Sequence, residues 1–230
     1  MDPAPLAERL RGIRARIEAA ARRTGRDPTG ITLVAVSKTR EAGEIRAAVA
    51  AGQRDFGENY AQELAAKREA LADLARIRWH MIGHLQRNKA KLLVPGIHML
   101  QTIDSPRLVE ALGRRLAEHD ASLDVLIQVD VAGEEQKSGA APEEVPALVA
   151  AIRACPHLRL RGLMVIPPFT AGPEESRPRF RALRELAEKL RLGEGERELS
   201  MGMSDTFEVA VEEGATIVRV GTAIFGERGR

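Results

Sequence analysis

Thiols and lysines are scarce in this chain. Cys155 is the one cysteine among 230 residues. An intrachain disulfide framework and a cysteine-based zinc site are therefore excluded, and the thiol, set before Pro156, reads as inert and partly buried. No apolar run approaches the roughly twenty residues of a membrane span, and the N-terminus lacks the apolar centre of a signal peptide. A cytoplasmic, reducing setting is the expectation. The net charge of +2 is too small to imply nucleic acid or a membrane as partner. No G-x-G-x-x-G occurs, which argues against an open sheet that binds a dinucleotide. Of 35 basic residues, 6 are lysine and 29 are arginine. Arginine stays protonated and cannot condense with a carbonyl, so each lysine carries more weight here than in a lysine-rich chain.

One of those lysines ends the most distinctive stretch, Ile31-Thr-Leu-Val-Ala-Val-Ser37-Lys38. A β-branched apolar run bounded by polar residues reads as a parallel strand buried on both faces. A lysine at its carboxyl end stands where α/β folds place ligands. Ahead of it, Leu6, Leu10, Ile13 and Ile17 recur at helical spacing and Gly25 stops the pattern, predicting an amphipathic helix over 5–24. Its arginines alternate with Glu8 and Glu18 and have no aromatic neighbours, so they read as a solvated face.

Beyond Lys38 the pattern is regular. Strands are predicted over 53–57, 77–82, 97–103, 123–129, 158–166, 198–203 and 216–220. Helices are predicted over 41–51, 61–75, 107–119, 142–153, 173–191 and 205–213, with a short one ending near Leu93. Eight strands in β/α alternation require a parallel sheet. The fold class is α/β: one domain over 1–230, a (β/α)8 TIM-type barrel with an extra N-terminal helix, an open doubly wound sheet being the alternative.

In a barrel the carboxyl strand ends build the active face. Here they carry Lys38, Asn59, the segment 80–84, Asp104, Asp130, Met164, Ser204, Arg219, Gly221 and Thr222. Barrels often bind phosphate after strands seven and eight, and both loops carry glycine and hydroxyls. Ser204 or Asp205 is expected to cap helix 205–213, with Glu208 completing a capping box. His80 and His84 have the four-residue spacing of some zinc pairs, but the segment is strand-like, lacks the metalloprotease glutamate and shows no third ligand. No metal is assigned.

Several segments together resemble a known family, the pyridoxal phosphate homeostasis proteins (the YggS/PROSC family). They are Ala35-Val-Ser-Lys-Thr39, Phe56-Gly-Glu-Asn-Tyr60, Trp79-His-Met-Ile-Gly-His-Leu-Gln86 with Asn88-Lys89, Ile127-Gln-Val129 with Lys137-Ser-Gly139, Leu160-Arg-Gly-Leu-Met164, Ser200-Met-Gly-Met-Ser-Asp205 and Val218-Arg-Val-Gly-Thr-Ala-Ile-Phe-Gly226. They run in order over nearly the whole chain. The resemblance implies the alanine racemase N-terminal barrel and pyridoxal 5′-phosphate (PLP) as cofactor. It makes Lys38 the Schiff-base lysine, gives the phosphate to Ser204, Gly221 and Thr222, faces Arg219 to the pyridine nitrogen and lines the ring with Asn59 and Met164. Two departures are Met81, where relatives often carry an aromatic residue, and Asp130, where several carry asparagine.

A guanidinium at the pyridine nitrogen disfavours its protonation and weakens the electron sink on which much PLP catalysis depends. Racemases of this fold also use a tyrosine from a separate β domain. This chain is expected to lack that domain, and its one tyrosine is Tyr60. The expectation is a monomeric carrier that acts in vitamin B6 homeostasis, with apo PLP-dependent enzymes as partners. The alternatives are a stand-alone PLP enzyme such as an amino-acid racemase, and a barrel enzyme that acts on a phosphorylated metabolite with Lys38 as its amine.

Overall fold

The protein is described here from a computed structural model, over residues 4–131, 138–168 and 172–227. Helix α1 (Ala4–Arg23) leads through a short 3-10 turn to β1 (Thr32–Val36). Then follow α2 (Ala42–Ala50), β2 (Asp55–Glu58), α3 (Ala61–Ala70), β3 (Arg78–Met81), α4 (Ala90–Leu93), β4 (Met99–Ile103) and α5 (Pro106–Ala117). The second half runs β5 (Leu123–Gln128), α6 (Val145–Arg153), β6 (Leu158–Met164), α7 (Arg177–Lys189), β7 (Glu198–Ser200), α8 (Phe207–Glu212), β8 (Ile217–Val220) and α9 (Thr222–Phe225). The eight strands are parallel and close in sequence order, with β1 returning to β8 through the register Thr32 to Ile217 and Ala35 to Val220. The (β/α)8 barrel expected from the alternation is therefore the fold, and the open sheet is not.

Alternation along each strand divides the residues into an outer and an inner set. The outer set joins the helices in one large apolar core. The inner set contains a small cluster of Val34, Met99, Leu126, Met164 and Ile217. Two residues on from Met99 and Ile217, on the same inner faces, stand Gln101 and Arg219, both buried. The interior is thus apolar in part and polar in part. That mixture positions the site.

Helix α1 packs on α8, α9 and α2, with Leu6, Leu10, Ile13 and Ile17 buried. Its arginines other than Arg9 are exposed, as the solvated-face reading expects, and several of them also bond neighbouring units. Arg9 donates to the carbonyl of Ile224 at 2.5 Å, Arg16 pairs with Glu208 at 2.8 Å and lies over the Phe207 ring, and Arg23 pairs with Glu212 at 2.7 Å. They tie the N-terminal helix to the last β/α units.

The differences from the expected elements have local causes. Strand β7 stops at Ser200 because Gly202 adopts φ 91°, outside strand geometry. Helix α3 ends at Ala70, five residues before the expected end, and Arg46 donates to the carbonyl of Ala70. Expected helix 173–191 begins as a 3-10 turn at Pro173–Ser176 before α7. Helix α9 was not expected at all. Most of the polar loop 133–139, with Lys137 of the family-like segment, lies outside the described residues.

Candidate functional site

Lys38 leaves the end of β1 in a turn that its surroundings hold rigidly. The next residue, Thr39, has φ 65°, a left-handed conformation that costs a β-branched residue energy and persists only where neighbours enforce it. They do. The Thr39 amide donates to Glu63 Oε1 at 2.5 Å, and the Ser37 hydroxyl donates to Glu58 Oε1 at 2.6 Å. The Lys67 ammonium uses its three donors on the Ser37 carbonyl, Glu58 and Glu63, at 2.6, 2.8 and 2.6 Å. Burial pushes the Glu58 carboxyl up, further than its hydrogen bonds from Lys67 and Ser37 bring it down.

Beside the end of β1, across its pairing with β8, the loop after β7 meets the turn after β8. Ser204 Oγ accepts from the Gly221 amide at 3.3 Å and from the Thr222 hydroxyl at 3.0 Å, and the Ala223 amide lies 3.5 Å away. Gly221 is tightly set: a Cβ there would stand 3.3 Å from Val36. The expected cap on the helix after β7 is not made. Thr206 is the N-cap of α8 and its hydroxyl accepts from the Met203 amide at 3.0 Å, while Glu208 is drawn off to Arg16. Ser204 instead faces the amides that open α9. The anion-favouring amides are those of the eighth unit, not the seventh.

Arg219, on β8, is buried, with Nη1 donating to Ser200 Oγ at 2.5 Å and Nη2 to the Val165 carbonyl at 2.7 Å. Both acceptors are neutral, and among the described residues no carboxylate pairs with it. Burial lowers its pKa to about 10, which still leaves it protonated at neutral pH.

Six of the seven residues singled out in the sequence, Lys38, Asn59, Ser204, Arg219, Gly221 and Thr222, line one cavity of about 490 Å³ at the carboxyl strand ends, a size suited to a small ligand. Met164 does not line it. Its side chain is fully buried in the inner cluster with Leu126 and Ile217. Val36, Ile82, Ile166 and Met203 form an apolar wall that sequence reasoning missed. All four stand at or beside the ends of predicted strands and were findable by position alone.

The histidine segment separates. Strand β3 ends at Met81, so strand alternation stops short of His84. His84 is half-exposed and bonds Asp104 at 2.9 Å. His80 is buried and bonds Asp55 at 3.0 Å, with His98 edge-on to its ring. Asp55, His80 and His98 bring their ligand atoms within 4.8 Å of one another, but Asp55 already carries a cation, the Arg78 guanidinium at 2.5 Å.

A family model described as "Alanine racemase, N-terminal domain" matches residues 9–229. A pyridoxal phosphate homeostasis protein of Pseudomonas aeruginosa is 47% identical over 97% of this chain and 96% of its own length. The solved structure of PipY from Synechococcus elongatus with PLP bound superposes with a TM-score of 0.85 at 38% identity, over 96% of this chain and all of that one. Alanine racemase from Corynebacterium glutamicum, at 21% identity and a TM-score of 0.64 over 61% of that chain, shares the fold. The chain belongs to the alanine racemase N-terminal domain family and, within it, to the pyridoxal phosphate homeostasis proteins.

Proposed function

We propose that this member of the family holds pyridoxal 5′-phosphate in the cavity at the carboxyl strand ends, as a Schiff base on Lys38, and acts in intracellular vitamin B6 homeostasis. One observation carries the reading: a lysine, a buried guanidinium and a hydroxyl-and-amide cradle line the same cavity. The residues suit the cofactor's three polar parts. The Lys38 amine takes the aldehyde. The Gly221 amide and the hydroxyls of Ser204 and Thr222 take the phosphate, next to the N-terminal amides of α9. Arg219, which can only donate, would hold an unprotonated pyridine nitrogen, and Asn59, which lines the same cavity, would contact the ring.

The cofactor supplies a reactive aldehyde. The protein's part is to bind it, orient it and limit its reactions. The Arg219 guanidinium facing the ring nitrogen would disfavour its protonation and make the ring a weak electron sink, which suits a carrier better than a catalyst of carbanion chemistry. We place the protein in the cytoplasm as a monomer that passes PLP to apo PLP-dependent enzymes. No helix among the described residues is long and apolar enough to cross a membrane.

The test is borohydride reduction of the PLP-incubated protein followed by peptide mapping. A pyridoxyl group on Lys38, and a visible absorption band lost in Lys38→Ala, are expected. An adduct scattered over other lysines, or none, overturns the assignment. Loss of optical purity in a panel of amino acids, dependent on Lys38, would make the protein a racemase-like enzyme instead.

A further inference from the structure

A continuous chain of hydrogen bonds crosses the barrel interior from the cavity to the opposite end. Arg219 Nη1 meets Ser200 Oγ at 2.5 Å, Ser200 Oγ meets Gln101 Oε1 at 2.7 Å, Gln101 Nε2 meets His80 Nδ1 at 3.1 Å, and His80 Nε2 meets Asp55 Oδ1 at 3.0 Å. The five residues come from β8, β7, β4, β3 and β2, and all are buried. At the far end Arg78 closes the chain on Asp55 Oδ2.

The links share one direction, set by the guanidinium at one end and by the placement of the Gln101 oxygen and nitrogen in the middle. A guanidinium can only donate, so Ser200 Oγ accepts from Arg219, and the Ser200 proton goes to Gln101 Oε1. Gln101 turns its oxygen to Ser200 and its amide nitrogen to His80. His80 Nδ1 must then be the acceptor, and the ring proton sits on Nε2, aimed at the Asp55 carboxylate. His80 is neutral in this arrangement. A proton on Nδ1 would oppose the Gln101 amide, force it to turn over and leave the Ser200 hydroxyl without its acceptor. Inside a barrel such links reinforce one another, and a broken one is costly.

We propose that Asp55, His80 and Gln101 are positioning residues for Arg219. The relay joins the buried guanidinium, which has no carboxylate partner among the described residues, to the carboxylate of Asp55 at the other end of the chain. It also holds the Ser200 hydroxyl as an acceptor for Nη1 and so fixes the plane in which the remaining donors face the cavity. Packing alone does not require this arrangement, because a methionine fills the volume of Gln101. The consequence for bound PLP rests on the proposed function. The coupling between His80 and Arg219 does not.

Two measurements test this separately. In the cofactor-free protein, nitrogen-15 NMR of the His80 ring is expected to show a neutral ring with its proton on Nε2. Ser200→Ala removes a group that touches Arg219 and Gln101 but not His80, and it is expected to convert that single tautomer into a mixture. A ring protonated on Nδ1 in the wild type, or ring shifts unchanged in folded Ser200→Ala, overturns the relay. In the PLP-loaded protein, Gln101→Met is expected to move the visible band and weaken PLP retention about tenfold while the adduct stays on Lys38. An unmoved band shows that the relay does not reach the cofactor and overturns the positioning role. If the wild type gives no Lys38 adduct, the functional reading fails and the NMR arm still decides the relay.

Discussion

Lys67 Nζ reaches the carbonyl oxygen of Ser37 at 2.6 Å, so a helix residue thirty positions away holds the backbone that presents Lys38. The same ammonium is the cation for Glu58, which is fully buried and whose Oε2 has no hydrogen-bond partner among the described residues. Lys67→Met therefore strands a buried carboxylate and is expected to cost about 3–5 kcal/mol, with a lower yield of adduct at Lys38. Lys67→Met with Glu58→Gln removes both charges and should be less destabilised than Lys67→Met alone. Denaturant unfolding of the two single variants and the double variant measures the coupling.

Gly83 packs against the backbone of a site residue. A Cβ there would lie 2.2 Å from the carbonyl oxygen of Asn59 and 2.7 Å from its Cα, and backbone cannot swing aside as a side-chain tip can. Gly83→Ala is expected to destabilise by about 1–3 kcal/mol and to weaken PLP retention by displacing Asn59. Gly43, inside α2 where an added methyl would meet nothing within 4 Å, is the control. Gly43→Ala should stabilise by up to about 1 kcal/mol and leave the cofactor band where it is.

Asp55 makes stability depend on acid. Burial pushes its pKa up, but the hydrogen bonds from His80 and Arg78 pull it further down, so the folded value lies below the ordinary one. A carboxyl whose folded pKa is depressed contributes stability above its unfolded pKa of about 3.9 and loses it as pH falls through the folded value. Asp55→Asn is expected to lower stability by about 1.5–3 kcal/mol at pH 7. The gap from wild type should close below about pH 4. Chemical unfolding at pH 7 and pH 3 measures both ends.

Ser204 and Thr222 should act on the phosphate alone. Ser204→Ala and Thr222→Val each remove a hydroxyl from the cradle, and each is expected to weaken PLP binding about 10- to 100-fold, the worth of one hydrogen bond to a charged group. Binding of pyridoxal, which has no phosphate, should change little. Equal losses for both ligands would remove the phosphate role from these residues.

Much of this was legible in the chain itself. The run ending in Lys38 announced a buried strand with its lysine at the active face, because burial on both sides demands an unbroken apolar pattern that few other elements show. The β/α alternation was strong enough to count eight strands. Boundaries were less legible where one residue's backbone decided them, as Gly202 does for β7. Met164 was placed correctly at a strand end, yet it points into the interior cluster and not into the cavity.

Local chemistry by itself therefore determined which segments are strands, where their carboxyl ends lie and which polar residues gather there. Periodicity and turn residues act over a few positions, and that information is present in any short window. Only the closed barrel decided what those residues touch. Ser204 was read as a cap for the helix that follows it, but closure sets it against the amides of α9, seventeen residues on. Ser200 meets Gln101 across 99 positions of chain, and His80 meets Asp55 on the neighbouring strand. A hydrogen bond of that kind depends on which strands face one another across the interior and in what register. Tertiary packing sets both.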